Sequence, residues 1–175
     1  PLLIAQIKRI DNTVQITAAY GRNRKWIEKK LIDDFGKVPS NVHLENYDSI
    51  IEDSTKFNSY QEIWHFATYG QPIKALREAR NTVKLNVDDV MTLIERLEKN
   101  GVFYYASTSE MYGAVLEVPQ SEKTPFNPQS PYAISKVGTD LIGRYYNEAY
   151  GAKTLITRMF THTGPRRGDV FAESS

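Results

Sequence analysis

The sequence predicts an α/β fold with a parallel sheet. Apolar runs of strand length alternate with segments of helical spacing along the chain. No internal repeat, low-complexity tract or linker interrupts this alternation. The chain has 175 residues, of which 41% are hydrophobic, and this suffices for one globular domain with a buried core. We therefore expect short strands joined by helices.

The first half of the chain contains two short strands and one well-marked helix. Apolar residues at helical spacing predict the end of an earlier helix at Leu2, Leu3, Ile7 and Ile10. The strand TVQITAA follows at 13–19. The next helix has an apolar face formed by Trp26, Ile27, Leu31 and Phe35. Gly36 after that face is a typical helix end, and NVHL at 41–44 is the next strand.

The second half contains the longer elements. In order, these are a strand at 62–67 (EIWHFA), a helix at 73–97, a strand at 102–107 (VFYYAS), a helix at 131–150 and a strand at 154–160 (TLITRMF). Asn86 marks a break in the first helix, and the Asn-Gly pair at 100–101 marks its end.

Charge and cysteine content exclude several classes of function. The 22 basic and 21 acidic residues give a net charge of +1 and are scattered, which predicts neither a nucleic-acid partner nor a membrane partner. The absence of cysteine excludes disulfides and thiolate metal sites, suits a reducing cytoplasm, and leaves no metal site predicted. No apolar run is long enough for a membrane helix. A soluble cytoplasmic protein is expected.

A hydroxyl-rich segment follows the strand at 102–107. It reads Ser107-Thr108-Ser109-Glu110, and a second polar loop, THTGPRRG, follows the last strand. In open parallel sheets, ligands bind beyond the carboxyl ends of the strands. Both loops occupy such positions, although Ser and Thr also commonly end strands and cap turns.

The motif SPYAISK at 130–136 strengthens the functional interpretation. It places Tyr132 and Lys136 four residues apart, on one face at the start of a helix. A phenol has a pKa near ~10, which a neighbouring ammonium lowers. Tyr132 is therefore a candidate general base that removes a proton from a substrate hydroxyl, while Thr108 donates a hydrogen bond to the same oxygen.

Three motifs together resemble a known family. ASTSEMYG, SPYAISK and RMFTHTGPRRG, in this order and spacing, are similar to the extended short-chain dehydrogenases/reductases, and within them to nucleotide-sugar dehydratases, epimerases and decarboxylases. The likeness is strongest to the GDP-mannose 4,6-dehydratases and covers about residues 14 to 171. It implies a Rossmann-like, doubly wound parallel sheet and NAD or NADP as cofactor.

The resemblance also assigns catalytic roles. Thr108 is the catalytic hydroxyl, Tyr132 is the base, and Lys136 holds the nicotinamide ribose and tunes Tyr132. Glu110 is the carboxylate base that removes the proton from sugar carbon 5. The implied reaction is transient oxidation at carbon 4 followed by loss of water across carbons 5 and 6. A related decarboxylase shares the Ser-Thr-Ser-Glu loop, so an epimerase or decarboxylase is an alternative.

Further residues are assigned to the cofactor. Phe66, Ala67 and Thr68 match a strand exit over which the family binds its cofactor, and Asn86 matches an asparagine in the helix that supports the active-site strand. Arg22 and Arg24 follow the second strand of the fold, where arginine accommodates a 2′-phosphate, and this favours NADP over NAD. His65 is interpreted as a core histidine.

The substrate is assigned to the loops. By resemblance it is a nucleotide sugar, whose diphosphate faces Arg166 or Arg167. Ser109 and Glu110 lie beside the sugar. Thr161 departs from the asparagine usual in the family at this place. A homodimer or higher homo-oligomer, paired through long helices, is also implied.

The sequence lacks one part of a dinucleotide-binding fold. Such a fold needs a first strand and a Gly-rich turn, because small residues let backbone amides approach the pyrophosphate. Only residues 1–12 precede the first predicted strand. We therefore expect residues 1–175 to form a partial NAD(P)-binding domain without the glycine motif and without a C-terminal substrate domain. A catalytically inactive remnant or binding subunit is the alternative to an active enzyme.

Overall fold

The computed structural model describes residues 4, 7, 11, 13–69, 72–114 and 117–161. The chain divides into two compact units, Pro1–Lys56 and Phe57–Ser175. Within each unit the strands are parallel and helices alternate with them, which confirms the predicted α/β class. Over the described ranges, no helix combines the length and apolar character needed to cross a membrane.

The first unit contains one pair of parallel strands. Its elements are β1 (Ile16–Tyr20), α1 (Arg24–Phe35), β2 (Val42–Asn46) and α2 (Tyr47–Glu52). Asn23 caps α1 by accepting a hydrogen bond from the Trp26 N–H, and Gly36 ends the helix at a φ of 75°, as predicted. The core of this unit is formed by Ile4, Leu31 and Val42 with Ile16, Ala18, Ile27, Phe35, Val38 and Leu44 around them.

Strand β1 begins at Ile16 and not at Thr13, where it was predicted to begin. The Asp11 carboxylate accepts hydrogen bonds from the Thr13 N–H at 2.8 Å and from its hydroxyl at 2.6 Å. These bonds hold Thr13 in a turn. The connection to the neighbouring strand starts where the Ile16 N–H donates to the Asn41 carbonyl at 2.9 Å.

The second unit contains a three-stranded parallel sheet in the order β3-β4-β5. Its elements are β3 (Tyr60–His65), α3 (Pro72–Arg77), α4 (Ala79–Val83), a π-helical turn (Lys84–Asp88), α5 (Asp89–Ile94), β4 (Leu97–Ala106), a 3₁₀ turn (Ser109–Tyr112), α6 (Pro131–Tyr150) and β5 (Lys153–Thr157). Strands β3 and β5 end earlier than predicted, so Phe66 and Arg158 lie beyond the edge of the sheet.

The helix predicted at 73–97 has more interruptions than the one expected near Asn86, and it ends earlier than predicted. The segment forms three short helices and a π-helical turn, and it ends at Ile94. The expected break near Asn86 is confirmed. The side chain of Asn86 donates to the Ser135 hydroxyl at 2.8 Å, and the Thr139 hydroxyl donates to the Asn86 carbonyl. This engagement by α6 accounts for the widened turn.

The predicted helix end at the Asn-Gly pair is also wrong, because strand β4 already begins at Leu97. Leu97 pairs with Tyr60, whereas regular pairing resumes only at Val102. The segment between them is an irregularity within the strand. A Cβ atom on Gly101 would lie 2.9 Å from the Gln61 carbonyl oxygen, so glycine permits the close approach of β3.

Helix α6 has the predicted bounds. The Ser130 hydroxyl accepts a hydrogen bond from the Ala133 N–H at 3.1 Å, and Pro131 occupies the first turn. Gly151 ends the helix at a φ of 68°. Gly143 lets the helix approach β5 closely, since a Cβ atom there would lie 2.7 Å from the Ile156 side chain.

Candidate active site

The loop after β4 is fixed by the segment that follows β5. The Ser107 N–H donates to the Thr157 carbonyl at 2.8 Å, and the Ser109 N–H donates to the Met159 carbonyl at 2.9 Å. The Thr108 hydroxyl accepts a hydrogen bond from the Glu110 N–H at 3.2 Å and caps the 3₁₀ turn. Glu110 is exposed, whereas Thr108 is half-buried. The four polar residues predicted to converge therefore lie on one ordered loop.

Helix α6 brings its own polar residues to this loop. Lys136 is only 2% exposed, and its Nζ atom donates to the Ala106 carbonyl at 2.7 Å, at the end of β4. Tyr132 lies one turn earlier and interacts with the Thr108 hydroxyl and with the Glu110 carboxylate. Thr108, Glu110, Tyr132 and Lys136 thus lie together at the carboxyl end of β4.

The pKa of Tyr132 is raised, contrary to the prediction. Burial is the main cause, the Glu110 carboxylate adds to it, and only the hydrogen bond with Thr108 opposes it. The expected lowering by Lys136 does not dominate, because burial lowers the pKa of Lys136 itself to about 7. Near neutral pH, Lys136 is therefore only partly charged and Tyr132 is a neutral phenol.

Two of the cavities among the described residues of the second unit bear on the choice of site. A small one of about 70 Å³ is lined by Glu110, Ser130 and Tyr132, together with Tyr69 and residues of α3. A larger one of about 740 Å³ lies around Asp140, Arg144 and Arg158. The larger cavity includes none of the four predicted catalytic residues, so we identify the candidate site by its chemistry and not by volume.

The residues after β3 lie at the same edge of the sheet as the 107–110 loop. His65 is paired with Tyr105 across the two strands, so the carboxyl ends of β3 and β4 are level. Phe66 is 50% exposed, and Ala67 and Thr68 are half-buried. The Thr68 hydroxyl is buried without a hydrogen bond in the described part of the chain. It is a polar group available to a ligand.

Asn86 is fully buried and contacts α6. Its amide nitrogen is used by Ser135, while its Oδ1 atom has no hydrogen-bond partner among the described residues. In this structure Asn86 supports the helix that carries Tyr132 and Lys136. Its predicted contact with a cofactor stays a prediction.

The two arginines predicted to select NADP are in the first unit and are exposed. The Arg24 Nε atom pairs with the Glu28 carboxylate at 2.8 Å, one turn further along α1. Arg22 lies two residues beyond the end of β1. Thr161 is exposed after β5, and Arg166 and Arg167 lie outside the described residues.

His65 is a core histidine, as predicted. It is 4% exposed and stacks on Tyr105 and Phe103 with ring centroids at 5.6 and 6.2 Å. Burial, assisted by nearby Lys136, lowers its pKa to about 3, so the imidazole is neutral at physiological pH.

One polar residue beside the site, Tyr105, was missed in the sequence, and Ser107 was placed in the loop without a role of its own. Tyr105 is fully buried under Lys136, and Ser107 has a buried hydroxyl without a hydrogen bond among the described residues. Side chains alternate between the two faces of a strand, so residues 103, 105 and 107 lie on one face. This alternation was the signal in the sequence that could have placed Tyr105 beside the site. In the described ranges, no cluster of acidic and histidine side chains could hold a metal ion.

Comparison with solved structures establishes the fold. A UDP-glucuronic acid 4-epimerase from Bacillus cereus, in complex with UDP-glucuronic acid and NAD, has a TM-score of 0.77 at 19% identity, over 98% of this chain and 56% of that one. A dTDP-glucose 4,6-dehydratase from Streptomyces venezuelae has a TM-score of 0.76 at 21% identity, over 98% and 54%. These likenesses confirm the predicted Rossmann-like fold.

Sequence comparison is more specific. A GDP-mannose 4,6-dehydratase from Yersinia enterocolitica is 36% identical over 115 residues, which are 63% of this chain and 31% of that protein. The chain thus spans about a third of that relative. A family model described as GDP-mannose 4,6 dehydratase matches residues 10–175. With nearly its whole length matched by that model, the chain belongs to the GDP-mannose 4,6-dehydratase family.

Proposed function

We propose that this chain carries the catalytic residues of an NAD(P)-dependent nucleotide-sugar 4,6-dehydratase. The observation that carries the proposal is the meeting of Thr108, Glu110, Tyr132 and Lys136 at the carboxyl end of β4. An acid, a phenol, a hydroxyl and an amine in one place are the groups that proton removal at two neighbouring sugar carbons requires. The family membership supports the same reaction.

The first proposed step concerns the hydroxyl on sugar carbon 4. Tyr132 accepts its proton, and Thr108 hydrogen-bonds the same oxygen. Only a phenolate can accept a proton, so the step depends on the charges beside Tyr132. Burial and the Glu110 carboxylate raise the pKa of Tyr132, whereas a charged Lys136 favours the phenolate. We expect turnover to rise with pH as the phenolate fraction increases.

The second proposed step concerns carbon 5. A ketone at carbon 4 acidifies the proton on carbon 5, and Glu110 removes this proton before water leaves from carbon 6. The carboxylate lies on the fixed 3₁₀ turn and is exposed, as a base that meets a substrate must be. An epimerase of the same family has no need for this step.

The cofactor is proposed to be NADP or NAD. Lys136 uses one of its three ammonium donors, on Ala106, and the buried hydroxyls of Thr68 and Ser107 have no partner in the described residues. These groups fit the polar ribose and nicotinamide of a dinucleotide. When bound, the nicotinamide supplies reversible hydride transfer. Phe66, Ala67 and Asn86 are proposed to line the same site, and Arg22 and Arg24 favour NADP.

The substrate is proposed to be a nucleotide sugar, and GDP-mannose is the first to test because the matching family carries that name. Ser109 and Thr161 are proposed to contact the sugar, and Arg166 and Arg167 to contact the diphosphate. A cytoplasmic location is proposed with it.

We also propose a homodimer. Helix α6 exposes Ile134, Leu141 and Tyr145, each more than half accessible, at spacings that place them on one face. Such an apolar stripe on a long helix is typical of an interface. Sedimentation of the full-length protein tests this, and a monomer at micromolar concentration contradicts it.

Turnover by the full-length protein tests the function. GDP-mannose and NADP should give a sugar lighter by one water. Tyr132→Phe should reduce turnover at least about a hundredfold, the usual contribution of general acid-base catalysis. Glu110→Gln should block water loss and the uptake of solvent deuterium at carbon 5.

Tyr150→Phe and Glu148→Gln, two exposed positions on the same helix, are the matched controls and should retain activity. A product inverted at carbon 4 without loss of water would make the protein an epimerase. Failure to bind any dinucleotide would identify a non-enzymatic subunit.

A further inference from the structure

Lys136 is a buried amine without a charged partner in the described part of the chain. It is 2% exposed, and the single hydrogen bond that its Nζ atom makes there is to the neutral carbonyl of Ala106, at 2.7 Å. An ammonium taken out of water needs compensation, and one carbonyl supplies little of it. Some other neighbour must stabilise the charged form.

The titratable groups around Lys136 do not supply a negative charge. His65, on β3, is a neutral imidazole. Tyr132, on the same helix, is a neutral phenol whose ring centroid lies 5.6 Å from Nζ. The carboxylate of Asp140, one turn along α6, is bound by Arg144 and Arg158. The carboxylate of Glu110 forms no ion pair with Lys136.

The face of the Tyr105 ring carries the partial negative charge that can stabilise the Lys136 ammonium in place of a counterion. Nζ of Lys136 lies over this ring, 4.2 Å from its centroid, well within the distance at which a cation interacts with the negative face of an aromatic ring. Tyr105 is completely buried, so water does not weaken the attraction. Burial also raises the pKa of its hydroxyl, so the partner is a neutral ring and not a phenolate.

Two other aromatic side chains hold the Tyr105 ring in this orientation. His65 stacks on it at 5.6 Å with an angle of 19° between the planes, and Phe103 stacks at 6.4 Å and 14°. The Tyr105 hydroxyl forms no hydrogen bond of normal geometry among the described residues, although Thr139 is close enough to affect its pKa. The ring itself, and not the hydroxyl, is therefore the part that meets the amine.

We propose that Tyr105 is a positioning residue that stabilises the charged form of Lys136 and holds its amine in place through a cation–π contact. Its consequence for catalysis rests on the proposed function, because a charged Lys136 favours the phenolate of Tyr132. The contact itself is independent of any substrate or cofactor. It can therefore be tested without activity.

The test is a series of full-length proteins with phenylalanine, then mono-, di- and trifluorophenylalanine, at position 105. Fluorine withdraws electrons from the ring face while changing its shape little. The pKa of Lys136 is followed by the pH dependence of its Cε chemical shift, assigned with Lys136→Arg. Tyr105→Phe should leave the pKa close to its original value, and each added fluorine should lower it, by about tenfold in the protonation equilibrium over the series.

Phe103 provides the matched control. It is two residues away on the same strand, is 1% exposed and stacks on Tyr105, but it does not lie under Lys136. The same substitutions there should leave the pKa of Lys136 unchanged. A constant pKa across the series at 105, or an equal fall in the series at 103, would overturn the proposal. Dehydratase activity is scored separately, so an inactive wild type would refute the function and leave this result intact.

Discussion

Helix α6 buries two ionisable side chains one turn apart, Lys136 at 2% and Asp140 at 1% exposure. Their surroundings differ completely. Arg158 donates to both carboxylate oxygens of Asp140, at 2.9 and 3.0 Å, and Arg144 adds a bond at 2.7 Å. The Lys136 amine contacts only neutral groups among the described residues, namely one backbone carbonyl and two aromatic rings. One charge is neutralised within the protein, and the other is not.

The difference separates a structural site from a candidate catalytic one. The Asp140 carboxylate is bound by two arginines, and Arg158 extends the pair by donating to the Tyr112 hydroxyl at 3.1 Å and the Glu122 carbonyl at 2.9 Å. This group of contacts fixes the loop that carries Glu110. Lys136 keeps unused donors and a pKa of about 7, which is the condition expected of a functional amine.

The largest effect should come from breaking the neutralised pair. Asp140→Ala leaves Arg158, whose side chain is only 9% exposed, without its carboxylate, and we expect a loss of about 3–5 kcal/mol in the free energy of unfolding. Urea denaturation measures it. Glu148→Ala, on the exposed side of the same helix, should change stability by less than about 0.5 kcal/mol. A loss below about 1 kcal/mol for Asp140→Ala would refute the structural role.

The sequence allowed α6 to be predicted to the residue, because local signals decide its ends: the Ser130 cap, Pro131 and Gly151. The segment at 73–97 failed because its outcome depends on distant partners. Leu97 pairs with Tyr60, and Thr139 engages the carbonyl of Asn86. Neither contact has a signature in the segment itself.

The motifs in the sequence identified the catalytic candidates, but they did not predict the direction in which the pKa values of these residues are shifted. The motif places Lys136 beside Tyr132 and suggests a lowered phenol pKa. Burial of both residues reverses that expectation, and burial depends on the packing of α6 against β4. The pairing of Asp140 with Arg158 was missed for a related reason, since 18 positions separate the two residues in the sequence.

The next largest effect should appear in the pH dependence of stability. An unfolded lysine has a pKa of about 10.4, whereas folded Lys136 has one of about 7. Between these values the unfolded chain binds the additional proton, so stability should rise with pH, by at most about 1.4 kcal/mol per unit. His65 contributes only below this window, and Tyr132 only above it.

Lys136→Met should remove this rise, and urea unfolding from pH 7 to pH 10 measures it in both proteins. Replacing Lys29, an exposed lysine of α1, by methionine is the control and should leave the slope unchanged. An identical slope in wild type and Lys136→Met would contradict the assignment.

The smallest effect should come from Tyr112→Phe. This change removes the hydroxyl that accepts from Arg158 and keeps the ring, which packs against Phe126 and Phe160. We expect a loss of about 1 kcal/mol, typical of one hydrogen bond. In this variant Asp140 keeps its contacts with both arginines. The difference in unfolding free energy between Tyr112→Phe and Asp140→Ala therefore measures what the Asp140 carboxylate contributes to stability. Equal losses in the two variants would place the stabilisation in the hydroxyl bond instead.

The contrast between the two buried residues depends most directly on the charge state of Lys136. The pH titration of its Cε chemical shift in the wild-type protein, without ligand, measures this state. The account predicts a pKa near 7, lowered by burial without a charged partner. A value near ~10, that of an ordinary exposed lysine, would mean that the amine is solvated or paired, and it would contradict the account.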